Sequence, residues 1–264
     1  MALRSKREGA VDSGSFIGRK YRIAQRIQTA LALIYPPRCM GCGELTESDF
    51  GLCGACWRDT PFIGGTICES CGVPVIGSAD RFRTECDDCL KAPPPWKAGR
   101  AALLYDGKAR SLVLALKHGD RTELARPAAR WLAQSGRELL RPEMVIAPVP
   151  LHWSRLLKRR YNQSALLARN LGRETGLECV PDLLVRKRRT PVLDGKTAQE
   201  RGEALEGAIG VHPRRALHLK GRDILLVDDV MTSGATLTAC TRACQVAGVN
   251  HIFVLALARV AKDA

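Results

Sequence analysis

The sequence predicts an α/β fold built on a parallel sheet, preceded by a small ribbon held together by metal. Three observations lead there. Four Cys-x-x-Cys pairs crowd into residues 39–89, short apolar runs alternate with helical periodicity beyond Pro93-Pro94-Pro95, and one such run ends in two acids and a loop of small and hydroxyl residues. Alternation makes successive strands parallel, because each helix carries the chain back along the sheet. With 264 residues, 45% of them apolar and 26% charged, the chain can bury a proper core, and wholesale disorder is excluded. The longest apolar run near the C-terminus, Ile252 to Ala258, is far short of the roughly 20 residues of a membrane span, so no membrane insertion is expected.

Taken in order, residues 1–19 mix charge, Gly and Ser without periodicity and predict a mobile basic tail. Ile23, Ile27, Leu31 and Ile34 share one helical face, predicting a docking helix over 21–35 that Pro36-Pro37 ends. Residues 36–95 form the cysteine ribbon, closed by the stiff proline triplet, and 96–264 read as one α/β domain. There, strands are expected at Arg100–Tyr105, Met144–Val149, Leu183–Val185, Asp223–Val227 and His251–Ala258. Helices are expected at Ser111–Leu116, Thr122–Gln134, Asn162–Glu174 and Ala235–Ala247, with a basic stretch at Arg155–Arg160 and a polar one at Lys187–Glu203.

Eight of the eleven cysteines are the pairs Cys39/Cys42, Cys53/Cys56, Cys68/Cys71 and Cys86/Cys89. A Cys-x-x-Cys turn aims two sulfurs at one ion and two turns complete a tetrahedron, so the pattern predicts two structural Zn²⁺ sites with no open position for catalysis. Sequential ligation is the simplest pairing; an interleaved one remains open. A redox dithiol needs only one pair beside a βαβ unit, which none of these has. Cys179, Cys240 and Cys244 read as buried small apolar residues. No apolar signal segment follows the early basic residues, and persistent thiols fit a reducing, cytoplasmic compartment.

The net charge of +14 is unevenly spread. Residues 39–95 hold four Lys or Arg against nine acids, whereas 96–264 hold 29 against 16. Positive potential therefore belongs to the tail and the α/β domain, and the acidic ribbon is a poor phosphate binder by itself.

The most informative stretch is Ile224-Leu225-Leu226-Val227-Asp228-Asp229-Val230-Met231-Thr232-Ser233-Gly234-Ala235-Thr236. An apolar strand delivers Asp228 and Asp229 at its C-terminal edge. A helix entrance then offers unpaired amides and a positive dipole end to a phosphate, supplemented by the hydroxyls of Thr232, Ser233 and Thr236. This suits a sugar 5′-phosphate, with the paired acids accepting hydrogen bonds from vicinal hydroxyls or holding Mg²⁺ directly or through water. No Gly-Lys-Ser/Thr follows a spaced Gly, which excludes a Walker loop.

These thirteen residues resemble the signature of the type I phosphoribosyltransferases, which bind phosphoribosyl pyrophosphate there. The wider chain resembles the ComF family of competence-associated proteins, a double zinc ribbon followed by a phosphoribosyltransferase-like domain. The resemblance covers residues 35–260 and is carried by Tyr35-Pro36-Pro37-Arg38-Cys39, Cys53-Gly54-Ala55-Cys56-Trp57, Leu116-Lys117-His118-Gly119, Pro148-Val149-Pro150-Leu151-His152, Asn162-Gln163 and the loop. It implies that Met231 to Thr236, Leu151, His152, Arg155, Lys117 and Lys196 bind phosphoribosyl pyrophosphate, with Asp228 and Asp229 catalytic, Mg²⁺ as cofactor and Arg189–Arg201 as a mobile hood. Arg160 stands where many relatives have Gly, and Leu193 and Ala204 replace commonly polar hood residues. Thr232 stands where oxopurine salvage enzymes carry a carboxylate, so it cannot serve as their base, and the acceptor stays undefined. The family's link with DNA uptake implies a second class of function: a non-catalytic adaptor or ligand sensor, or contact with single-stranded DNA and uptake proteins. Lys158, Arg159, Arg160, Arg186, Lys187, Arg188 and Arg189 are the candidate contacts for a strand.

Overall fold

A computed structural model describes residues 35–46, 51–76, 84–188, 190 and 197–261. The basic tail and all of the expected docking helix except Tyr35 lie outside the described residues, as do Arg189 and Lys196. In the ribbon, knuckles at Cys39–Cys42 and Cys68–Cys71 are closed by single antiparallel bridges, Arg38 with Leu45 and Ile67 with Pro74. Short helices α1 (Gly54–Arg58) and α2 (Asp87–Lys91) carry the second pair of each set, with Cys53 and Cys86 as their N-caps.

After the prolines come β1 (Ala98–Leu104), α3 (Gly107–His118), α4 (Ala125–Ser135), β2 (Val145–Pro148), α5 (Trp153–Arg159) and α6 (Gln163–Thr175). There follow β3 (Glu178–Cys179), β4 (Leu184–Arg186), α7 (Ala198–Leu205), β5 (Ile209–Val211), β6 (Ile224–Met231), α8 (Ala235–Val246) and β7 (Ile252–Arg259). Five strands form one parallel sheet in the order β1-β7-β6-β2-β3, while β4 and β5 pair antiparallel beside it. The protein is thus a ribbon of four cysteine pairs followed by a parallel-sheet α/β domain.

The central strands are apolar throughout because both faces are covered. Leu225, Val227, Phe253 and Leu255 enter the core beneath α3, α4 and α6, and the alternating Leu226, Ile252, Val254 and Ala256 enter the core beneath α8. Two helices differ from the sequence expectation. The basic stretch is largely α5, since Lys, Arg and Leu are good helix formers, and the polar stretch contains α7, started by a capping box between Thr197 and Glu200.

The ribbon is stitched to the sheet. Ile63 N–H donates to Ala102 O and Leu104 N–H to Pro61 O, both at 2.9 Å, so residues 61–63 cover the open edge of β1. An exposed strand edge is a template for pairing with other chains, and the ribbon removes it here. Trp57, Phe62 and Trp131 form an aromatic series with centroids 4.4 and 5.4 Å apart, and Met40 joins the core of α3 and α4. On the second knuckle, Glu69 O accepts from Gly99 N–H at 3.0 Å, and Arg100, buried, pairs with Glu69 at 2.8 Å and Glu138 at 3.2 Å. A Cβ on Gly99 would lie 2.6 Å from Ser70 O, so glycine is what allows this approach.

Candidate functional site

The site arises where the sheet splits. β6 pairs with β2 only as far as Val227, opposite Pro148, but runs on beside β7 to Met231. Asp228 and Asp229 therefore stand on an edge of β6 that β2 no longer shares. Ligands of open α/β sheets bind at such C-terminal strand ends.

Two helices converge on the acids of β6. From the end of α3, Lys117 Nζ lies 3.2 Å from Asp229 Oδ2, and from the start of α6, Ser164 Oγ–H donates to Asp228 Oδ1 at 2.9 Å. The Asp229 N–H donates to the same Asp228 oxygen at 2.9 Å. Lys117 is held by Gln163, whose Nε2–H donates to Lys117 O at 3.1 Å, and Tyr161 OH donates to Leu116 O at 2.8 Å. Asn162 Nδ2–H donates to Val149 O at 3.0 Å, tying the β2 turn to α6, while its Oδ1 caps that helix at Ser164 N–H.

Electrostatics separate the two acids. Desolvation, with the adjacent charge of Asp229, pushes the Asp228 carboxyl up to about 7, although Ser164, Lys117 and the Asp229 amide oppose the rise. Burial works to discharge Lys117, but the charges of Asp229 and Asp228 outweigh it and hold the ammonium above its ordinary range. The charge of Arg159 also reaches Lys117, so this arginine belongs to the electrostatics of the acid cluster.

Following the acids, Met231 is buried and Thr232 and Ser233 are exposed. Gly234 takes φ 76°, a left-handed conformation that costs glycine little, and begins α8 without a side-chain cap. The first amides of α8, from Ala235 and Thr236 onward, thus lack the capping partner that most helices use. Arg259, at the end of β7, braces the loop by donating from Nη1 to Met231 O and Thr232 O.

The other candidates divide. His152 is buried and caps α5, its Nδ1 accepting from Ser154 N–H at 3.3 Å, and Leu151 beside it is half-buried. Arg155 and Lys158 fall on α5, with side chains outside the description. Arg160 ends α5 at φ 65°, the conformation that glycine adopts most cheaply, which costs a non-glycine residue about 1 kcal/mol. At the end of β4, Arg186 is half-buried, Lys187 is exposed, and Arg188 Nη2–H donates to Glu206 O at 2.6 Å. Sequence reasoning missed Ser164 and Arg259. Ser164 sits two residues into a predicted helix start, where its only signal was a hydroxyl in the first turn, while Arg259 offered only a lone charge closing an apolar run.

The cysteines form two sets, Cys39/Cys42/Cys53/Cys56 and Cys68/Cys71/Cys86/Cys89, the sulfurs of each lying within 4.8 Å of one another. This is sequential pairing. Cys42 and Cys53 sulfurs are 3.7 Å apart, as are those of Cys71 and Cys86, close to the edge of about 3.8 Å for a tetrahedron with 2.3 Å zinc–sulfur bonds. Amides of Gly41 and Cys53 donate to Cys39 Sγ at 3.3 and 3.2 Å, as thiolate ligands require. The donor sets fit zinc. Of the remaining cysteines, Cys240 and Cys244 are buried, with burial pushing the Cys244 thiol up to about 12, whereas Cys179 is half-buried instead of fully buried.

A cleft of about 1030 Å³ lies between Pro93–Trp96, the loop after β6, α8 and the segment 205–209. The acids do not line it. Among the described residues no helix is long and apolar enough to cross a membrane.

The double zinc ribbon domain family matches residues 30–90. The DNA utilization protein YhgH of Shigella flexneri is 31% identical over 212 residues, covering 78% of this chain and 89% of that protein. Competence protein F of Haemophilus influenzae is 29% identical over 229 residues, covering 84% and 96%. Among solved structures, a hypoxanthine-guanine phosphoribosyltransferase from Bacillus anthracis is 14% identical, covering 54% of this chain and 75% of that one, with a TM-score of 0.34. A shared sequence of this extent, running through ribbon and sheet alike, establishes that the chain belongs to the ComF family.

Proposed function

We propose that this ComF-family chain binds phosphoribosyl pyrophosphate with Mg²⁺ at the C-terminal edge of β6, in support of DNA uptake. The observation that carries this reading is the Lys117–Asp229–Asp228–Ser164 cluster, set directly before an uncapped helix entrance. In this reading the 5′-phosphate takes the amides and hydroxyls of Thr232 to Thr236, and the ribose hydroxyls donate to Asp228 and Asp229. Leu151, His152 and Arg155 flank the pyrophosphate, and Lys117 balances the charge of the acids as the ligand enters. The carboxylate oxygens not engaged by Ser164 and Lys117 are the hard donors that Mg²⁺ prefers, directly or through water; the ion supplies charge neutralisation to a departing pyrophosphate. Lys196 and Arg189 belong to the proposed hood.

The test uses labelled phosphoribosyl pyrophosphate and Mg²⁺, with nucleobases or DNA added. Pyrophosphate release that requires an acceptor establishes a transferase, and tight binding without release establishes a ligand sensor. Absence of both binding and protection against heating overturns the site.

A second reading is contact with single-stranded DNA, supported by relatives named for DNA utilization and competence. Trp153 is 66% exposed at the start of α5 and Arg160 is exposed at its end, which offers a stacking face beside positive charge. Replacing Arg160, Lys187 and Arg188 with alanine is expected to reduce the slope of log affinity against log salt by about 2, at roughly 0.7 per lost phosphate contact. An unchanged slope removes these residues from the interface.

A further inference from the structure

We infer that Trp96 is a positioning residue through which the second four-cysteine site holds the phosphate loop in its binding shape. The inference rests on the reading of Thr232–Thr236 as a phosphate site, and it supplies the means by which zinc at one site governs affinity at the other.

The physical path is short. Ser70 lies between the ligands Cys68 and Cys71, and its carbonyl accepts from Trp96 Nε1–H at 2.6 Å. Ser70 is itself buried, and its Oγ–H donates to Glu85 Oε1 at 2.8 Å, one residue before the ligand Cys86. The bond therefore fixes the indole to a carbonyl whose position is set by the four-cysteine cluster. The backbone that follows Trp96 is fixed to the same knuckle by Gly99 N–H and by Arg100.

At its other edge the indole meets the loop. Trp96 is 7% exposed and belongs to the same buried cluster as Met231 and Leu237, the residues on either side of the loop. A Cβ placed on Gly234 would lie 3.0 Å from Trp96 Cη2 and 3.9 Å from Met231 Sδ. Gly234 is the residue whose left-handed backbone turns the chain into α8, so the indole abuts the point where the amides change direction. The far end of α8 is tied to the same segment, because Gln245 Nε2–H donates to Pro95 O at 3.1 Å. A loop that binds through converging amides gains affinity when their ordering is completed before the ligand arrives. Loss of the second zinc releases Ser70, frees the indole and returns that ordering cost to the binding step.

Amide hydrogen exchange of full-length protein without ligand tests the coupling, since it needs no phosphoribosyl pyrophosphate. In Trp96→Leu, and in the zinc-depleted Cys89→Ser variant, the amides that close on the loop, Thr238 N–H on Gly234 O and Val260 N–H on Met231 O, are expected to exchange at least about tenfold faster. Those of α6, on the opposite face of the sheet, should speed up less than the loop in every variant. Trp96→Phe, which keeps a ring against Gly234 but loses the bond to Ser70, should fall between. Zinc content should stay at wild-type level in both Trp96 variants, and affinity for phosphoribosyl pyrophosphate should weaken in the order Phe then Leu. Loop exchange that is unchanged in all three variants, or accelerated equally in α6, overturns the coupling. Faster loop exchange with no binding by wild-type protein keeps the coupling and removes the ligand assignment instead.

Discussion

Asp228→Asn and Asp229→Asn are expected to move stability in opposite directions while both abolish protection by phosphoribosyl pyrophosphate. Asp228 is the desolvated acid, raised to about 7 by burial and by Asp229. An amide there can still accept from Ser164 and from the Asp229 N–H, and it removes a charge that is costly to keep. A carboxyl whose folded value is raised favours folding fully below its unfolded value of 3.8, and that benefit is lost as pH rises toward 7. The asparagine variant does not titrate. Its advantage over wild type should be absent below about pH 4 and complete above about pH 7. Asp229 is different because it faces Lys117 at 3.2 Å. Its replacement leaves a partly buried ammonium without its nearest counter-charge, which should cost about 1 kcal/mol.

Ligand binding should weaken at least about 100-fold in both variants, because hydrogen bonds to a charged acceptor are each worth about 1.5–3 kcal/mol. Melting curves at pH 4 and pH 8, with and without ligand and Mg²⁺, read both effects. An Asp228→Asn protein that is protected by ligand as well as wild type would remove the acids from the site.

The second large effect is expected from Cys68→Ser. Cys68 is fully buried, and the second knuckle it belongs to meets β1 through Glu69, Gly99 and Arg100. Loss of this ligand removes the ion whose binding free energy folds the knuckle. It also leaves Arg100 without its ordered partner and frees the indole of Trp96. A loss of about 4 kcal/mol is expected, or a fall in Tm of roughly 10 °C, with one of two zinc ions lost. Cys240→Ser is the control, since Cys240 is equally buried but its thiol has no part in a four-cysteine set. It should retain both ions and fall by only a few degrees, reflecting a hydroxyl placed among apolar side chains. Zinc content and melting temperature distinguish the two variants, and equal falls with unchanged zinc would refute the structural role.

Chemistry that depends on spacing along the chain was legible in residue order. The Cys-x-x-Cys pairs predicted two four-cysteine sites because each turn presents its two sulfurs locally. The run from Ile224 to Thr236 predicted strand, acids and helix entrance because these are consecutive events on one segment. Strand–helix alternation likewise predicted the parallel sheet. The helices α5 and α7 were less legible, since their basic and polar residues read as surface stretches, although Thr197 and Glu200 carried a start signal.

What residue order by itself determined is the inventory: two four-cysteine sets, a parallel sheet, and a pair of acids beside a loop that enters a helix. What only the tertiary structure decided is which distant residues meet. Ser164 reaches Asp228 across 64 positions, Lys117 reaches Asp229 from another helix, and Trp96 joins the second knuckle to Gly234. The physical reason is that local conformation follows from short-range sterics and hydrogen bonding, whereas these contacts exist only after two apolar faces of one sheet have been packed. That packing also placed the ribbon along β1, making a segment with little core of its own part of the wall behind the Thr232–Thr236 loop.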